Sequence, residues 1–321
     1  MSIPFLVDTD TASDDAVALI MALRTPAASV QAITVVSGNV GVEQATRNAL
    51  YTAELCGSSV PVYSGAAQPL VRVAEHAQWY HGRDGLGDQG YPLPKRAPEK
   101  QHAVEAIIAT AHATPGLVLV TLGPLTNVAL AVARDPSWIA NVSRCVVMGG
   151  APCTEGNVTP AAEYNIWVDP EAARIVFRSG LPIEMVGWQL CRHEANWNAA
   201  DIEHVCGIGT ELAHFAIDCN RVAMEANRVQ TGEVGISLPD PTAMAIALDP
   251  ALCLERSKHY VDIEIHGELT RGMTVVDRLN IVKDGRNREL WSEVTSRPPN
   301  CEICWRLGIA GFKEMLYRAL S

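Results

Sequence analysis

An open, doubly wound, mostly parallel α/β sheet is the architecture that this 321-residue sequence predicts. Three observations carry the prediction. Strand-like apolar runs alternate with helix-period segments almost from the first residue, the signature of βαβ units. The runs are apolar without alternation, as in Val118-Leu119-Val120, which suits strands covered on both faces. No internal repeat, low-complexity tract or Ser/Pro-rich linker interrupts the series, so residues 1–321 read as one domain. A composition of 48% hydrophobic and 19% charged residues supports a folded globule and argues against disorder.

The elements follow in order. Residues 3–8 form the first expected strand and residues 13–24 the first helix, with Ser13 at its N-cap and Ala16, Ile20 and Leu23 along one face. A strand over 30–36 and a helix over 42–55 come next. The cycle continues with a helix over 104–112, a strand over 117–122, a helix over 125–134, a strand over 144–148, a helix over 170–178 and a strand over 183–186. Segments 68–98 and 196–237 are less regular. The first is rich in Gly, Pro and His, and the second is helical but polar through Gly232. Segments this long inside a compact domain usually cover or build an active site. Near the end, Cys301 and Cys304 form a CxxC, expected on one face of a terminal helix with Leu307 and Gly308. With no second CxxC in the chain, they read as core residues and not as half a zinc site.

The charge balance narrows the partners. With 36 Asp+Glu against 25 Lys+Arg the formal net charge is −11, which disfavours binding nucleic acid or an anionic membrane through bulk charge. No stretch approaches the roughly 18 apolar residues of a spanning helix, and the N-terminus lacks the basic region of a signal peptide. Nine Cys, an odd number scattered through a long chain, suggest reduced thiols. A cytoplasmic protein is expected.

The chemistry concentrates in residues 5–16, where Asp8, Asp10, Asp14 and Asp15 fall within eight positions, between the first strand and the first helix. Ligands of open α/β sheets bind at the carboxyl ends of strands, so the place suits a site. Capping and the helix dipole account for Asp14 and Asp15 alone. They do not account for Asp8 and Asp10, because four crowded like charges repel unless a cation or buried hydrogen bonds hold them. All-oxygen donors without a His or Cys cluster suit Ca²⁺ or Mg²⁺. Two chemistries then compete: a hydrolase in which a carboxylate deprotonates water, and a phosphatase in which Asp8 attacks phosphorus. The run Leu6-Val7-Asp8-Thr9-Asp10-Thr11 resembles the haloacid-dehalogenase-like phosphatases, but Ala12 stands where that family has Thr or Val, and the second Asp pair is foreign to it.

Asp8 to Ala16 as a whole resembles the DxDxxxDDA signature of the nucleoside hydrolases, calcium-dependent N-ribohydrolases that split nucleosides into ribose and base. Further blocks follow in family order over about three quarters of the chain. They are Val36-Ser37-Gly38-Asn39, His81-Gly82 with Asp84-Gly85-Leu86-Gly87, and Leu122-Gly123-Pro124-Leu125-Thr126-Asn127. Val147-Met148-Gly149-Gly150, Glu155-Gly156-Asn157, Glu163-Tyr164-Asn165 with Asp169-Pro170-Glu171-Ala172-Ala173, and Asp240-Pro241 complete the set. Each block is weak alone, and the ordered set is specific.

The resemblance implies Ca²⁺ held by Asp10, Asp15, Asp240 and the main-chain carbonyl of Leu122, with Asp10 also the general base that takes a proton from the water attacking C1′. Asp14, Asn39, Asn157, Glu163 and Asn165 match positions that grip ribose hydroxyls, with Met148 beside the sugar. Carboxylates and amide oxygens suit an oxocarbenium-like transition state. Glu163 and Asn165, two apart, are expected to point to one side of an extended segment. Asn127 and Asp169 are expected to organise helix ends. A homodimer or homotetramer is also implied.

One departure stands out. In one branch of the family the residue before the late metal-binding Asp is a His that protonates the departing base; here it is Pro239, which has no proton to give. A metal-binding paralogue without turnover is therefore an alternative. The base pocket is expected among His81, Trp188 and Asn227. Trp79, Trp167 and Trp197 are further candidate rings with Tyr80 beside the first, and Arg221, Arg228 and His193 are possible donors.

Overall fold

A computed structural model describes residues 2–192, 195–232, 234–290 and 297–321. His193 lies outside the described residues. The elements run β1 (Ile3–Thr9), α1 (Ser13–Arg24), β2 (Ala28–Val35), α2 (Val42–Leu55), β3 (Val62–Ser64), α3 (Gln78–His81), α4 (Ala103–Ala113), β4 (Leu117–Thr121), α5 (Thr126–Arg134), β5 (Val142–Met148), α6 (Tyr164–Val168), α7 (Pro170–Phe177), β6 (Ile183–Val186) and α8 (Trp188–Cys191). They continue with α9 (Ala199–Ile208), α10 (Glu211–Asp218), α11 (Arg221–Thr231), α12 (Pro239–Leu248), β7 (Cys253–His259), β8 (Val261–Ile263), β9 (Thr274–Val276), α13 (Gly285–Leu290), β10 (Cys301–Leu307) and α14 (Ile309–Leu320).

Eight strands form one sheet in the order β3-β2-β1-β4-β5-β6-β10-β7, parallel except for the edge pair β10–β7. The doubly wound expectation is met. The chain leaves β1 toward β2 and β3, then returns to lay β4, β5 and β6 on the other side. The strand order therefore reverses between β1 and β4, where a ligand cleft belongs. One apolar layer packs Val7, Val120 and Val146 against α1, α12 and α14, and the other packs Leu6, Leu119 and Val147 against α4, α5 and α7. Adjacent strand residues thus feed opposite layers, which is why these strands are apolar throughout.

Three local expectations are corrected. Cys301 and Cys304 lie on strand β10 and not on a terminal helix, which starts only at Ile309. On a regular strand, positions three apart face opposite ways, and the two thiols enter different layers, Cys301 with Ile303 in one and Cys304 in the other, where register shifts between Cys304 and Leu307 bring Leu307 to the same side. Ser13 is not a cap. Ala12 occupies that position, its N–H satisfied by Asp15 Oδ2 at 2.9 Å, so Ser13 Oγ is released to meet His81. Glu163 and Asn165 do not share an extended segment, because Glu163 is the N-cap of α6, its carboxylate accepting from the N–H groups of Asn165 and Ile166.

Candidate active site

The site grows from the end of β1. Asp8 faces into the sheet, where Oδ1 accepts from Thr34 Oγ1 at 2.6 Å and from Asn127 Nδ2 at 2.9 Å. It is fully buried, and that burial lifts its carboxyl to about 7. So enclosed, it is not placed to attack a phosphate. Asn127 itself bridges strands, donating also to Val35 O and accepting from Ala66 N. Asp169 caps α7 and also accepts from Thr126 Oγ1 and Leu70 N, as a residue organising helix ends should.

Two residues on, Asp10 emerges at the switch point. Its Oδ2 accepts the N–H of Asn39 at 2.6 Å, while Oδ1 is buried without a partner. Two glycines make room for it: a Cβ on Gly38 would come within 2.0 Å of Asp10 Oδ2, and one on Gly123 within 2.7 Å of Oδ1. Close backbone approach explains both positions.

Helix α1 supplies Asp14 and Asp15 in its first turn, and α12 supplies Asp240 in its own. The two helices pack together under the sheet, so their N-termini bring carboxylates 225 positions apart to one place. Asp14, Asp15 and Asp240 offer oxygens all within 4.8 Å of one another. Asp15 is fixed by Thr9 Oγ1 at 2.5 Å and by Ala12 N, whereas Asp14 Oδ1 has no partner. Burial, and then the field of neighbouring carboxylates, pushes the pKa of Asp10 and Asp240 well up. Asp14 and Asp15 rise to about 6, again mainly through burial. Buried acids in mutual repulsion, two with orphaned oxygens, form a donor set that fits a hard divalent cation.

The wall from β5 and the following loop adds Met148, Asn157, Glu163 and Asn165. Glu163 receives a third N–H from Gly150 at 2.8 Å, Asn157 Oδ1 accepts from Tyr164 N, and Asn165 Nδ2 donates to Leu122 O at 2.8 Å. The Leu122 carbonyl thus sits beside the cluster on the rim of the same cleft. That cleft is lined by Asp14, Asn39, Leu122, Met148, Asn157, Glu163, Asn165 and Asp240, together with Tyr80, His81, Trp188, Asn227 and Pro239. A wider hollow exists at the opposite, amino ends of β5, β6 and β10, but its Glu184 and Glu302 are already paired with Arg144 and Arg256. The chemistry lies with the carboxylates.

His81 is buried, its Nδ1 2.9 Å from Ser13 Oγ and 3.7 Å from Asp14, and burial lowers it to about 4, so it is neutral at physiological pH. Among the other aromatic candidates, Trp79 stands at the mouth, 61% exposed, while Trp197 is fully buried in the core. Arg221 and Arg228 pair with Asp218 and Glu225 on the outside of α11 and do not line the cleft. Asn220, Ala223 and Gln230 were not foreseen; they line it with Asn227, along one face of α11. Their 3-4-3 spacing, carrying amide and small side chains where an apolar stripe is usual, was the available signal.

Residues 5–314 match the family model described as inosine-uridine preferring nucleoside hydrolase. The chain belongs to the nucleoside hydrolase family. It is 37% identical over 324 residues to a protein of Salmonella paratyphi A named pyrimidine-specific ribonucleoside hydrolase RihA, covering 100% of this chain and 99% of that one. Among solved structures, the plant nucleoside hydrolase PpNRh1 superposes with a TM-score of 0.91 at 31% identity, covering 100% and 99% of the two chains. A purine-preferring ribonucleoside hydrolase from Gardnerella vaginalis gives 0.88 at 28% identity, covering 99% and 98%. Membership makes this nucleoside hydrolase-family chain an N-glycosyl hydrolase, and the carboxylate cleft stands where its sheet reverses direction.

Proposed function

We propose that the chain is a calcium-dependent ribonucleoside hydrolase, breaking the N-glycosidic bond by attack of water on C1′. The observation that carries this reading is the convergence of Asp14, Asp15 and Asp240, whose oxygens lie within 4.8 Å of one another, with Asp10 near enough to share their repulsion and with Asp10 Oδ1 and Asp14 Oδ1 unpartnered. Asp10, Asp15, Asp240 and the Leu122 carbonyl are the residues that would hold Ca²⁺, their all-oxygen chemistry matching a hard cation. The ion would lower the pKa of a water and anchor vicinal hydroxyls.

The rest falls to the protein. Asp10 is the general base: the Asn39 N–H holds one of its oxygens, leaving the other to accept a proton. Asp14, Asn39, Asn157, Glu163 and Asn165 grip the ribose, with Met148 against the sugar. Glu163 is locked by three N–H donors, so it meets a hydroxyl without reorganising. Negative and amide oxygens around C1′ favour the positive charge that develops as the bond breaks. His81, Trp188 and Asn227 face the base.

The test is release of reducing sugar from inosine, uridine, adenosine and cytidine with Ca²⁺, and its loss with a chelator. No ribose from any of the four, by folded protein shown to contain calcium, would overturn the reading. We further place the enzyme in the cytoplasm as a homodimer or homotetramer, which light scattering of the purified protein checks; a monomer at assay concentration removes the oligomer.

A further inference from the structure

We propose that Tyr80 is the hydrogen-bond donor that receives the departing base in this enzyme, from the place that Pro239 leaves without a proton. The inference rests on the hydrolase reading above.

When the C1′–N bond breaks, its electron pair stays on the base, and negative charge grows in the cleft. A donor aimed at that charge is among the largest available effects. Of the donors that line the cleft, some are already committed. Tyr164 spends its hydroxyl on Glu75 O at 2.9 Å. Asn220 spends its amide N–H groups on Ala216 O and Ser13 O. His81 engages Ser13 through Nδ1 and lies 3.7 Å from Asp14.

Tyr80 is placed differently. It lines the cleft together with Ser237 and Pro239. Ser237 stands two residues before Pro239 and three before Asp240, so the phenol shares the cleft with the segment that delivers the last carboxylate. The His81 ring meets that of Tyr80 edge-on at 4.9 Å, which holds its plane. Burial, then the field of Asp14, raises the phenol to about 12. It keeps its proton at working pH and acts as a donor, not as an acid that is spent.

The balance is simple. Water oxygen bonds to C1′, one water proton passes to Asp10, the C1′–N pair goes to the base, and Tyr80 Oη–H hydrogen-bonds that charge without leaving its oxygen. The released base takes its proton from solvent, to which Asp10 returns one.

The experiment compares Tyr80→Phe with the wild type on the best-cleaved of the four nucleosides and on p-nitrophenyl β-D-ribofuranoside, whose leaving group is stable as an anion. The expected result is a kcat lower by about 10²–10³-fold on the nucleoside, with the aryl riboside within about threefold of wild type and an unchanged melting temperature. Equal losses on both substrates mean a structural role and overturn the proposal, as does full activity on the nucleoside. A wild type inactive on every substrate instead sinks the hydrolase reading itself.

Discussion

Two aspartates two positions apart, Asp8 and Asp10, have opposite fates because strand residues alternate direction only until the strand ends. Asp8 is still in register with Thr34 and is consumed by the sheet, whereas Asp10 is beyond the last pair. Substitution separates these roles. Asp10→Asn is expected to lower kcat by about 10²–10⁴-fold, the usual contribution of a general base, with little change in melting; near-normal turnover would show that another carboxylate takes the proton. Asn127→Ala should act the other way. It strips a buried carboxylate of one of its two partners, so urea melts are expected to show a loss of about 1–3 kcal/mol. An unchanged midpoint would mean that Thr34 alone satisfies Asp8.

At the scale of elements, the site is a meeting of loop ends and helix starts. The turns after β2 and β4 bring Gly38 and Gly123 against Asp10, and neither leaves room for a methyl group. Gly38→Ala therefore displaces Asp10, the proposed general base, without touching the core. A loss of about 10²-fold in kcat is expected, the order that a 1 Å misplacement produces, with the far-UV spectrum of wild type. Retained activity would show that the loop yields instead of Asp10. Helices α1 and α12 are buried along nearly their whole length, which keeps Asp14, Asp15 and Asp240 from drifting apart despite their repulsion.

For the whole molecule, that repulsion links metal, pH and stability. Asp14 and Asp15 rise from an ordinary 3.8 to about 6. The folded state thus binds more protons than the unfolded chain between those values, and the contribution of these groups to stability falls as pH rises through that window. A cation must displace the same protons, so it binds better at high pH. Calcium is therefore expected to raise the melting temperature of metal-free protein more at pH 7.5 than at pH 4.5, by differential scanning calorimetry. Equal shifts at the two pH values would place the ion elsewhere.

Much of this was legible in the chain itself, because periodicity and short-range order are written locally. The parallel fold, α1 and α2 to the residue, and the carboxylate run after β1 all follow from neighbours in sequence. Failures came where a local pattern had two solutions. The apolar spacing around Cys301 suits a helix, yet the sheet needed a strand between β6 and β7. Ser13 is a good capping residue, but His81, 68 positions away, holds its hydroxyl while Asp15 takes the capping role. By itself, then, the sequence determined the architecture and the family. Only tertiary structure decided that Asp8 is consumed by the sheet, that Asp10 keeps an unpartnered oxygen, and that Tyr80 shares a cleft with Ser237 and Pro239. Those outcomes depend on contacts between segments tens to hundreds of residues apart, and no local periodicity encodes them.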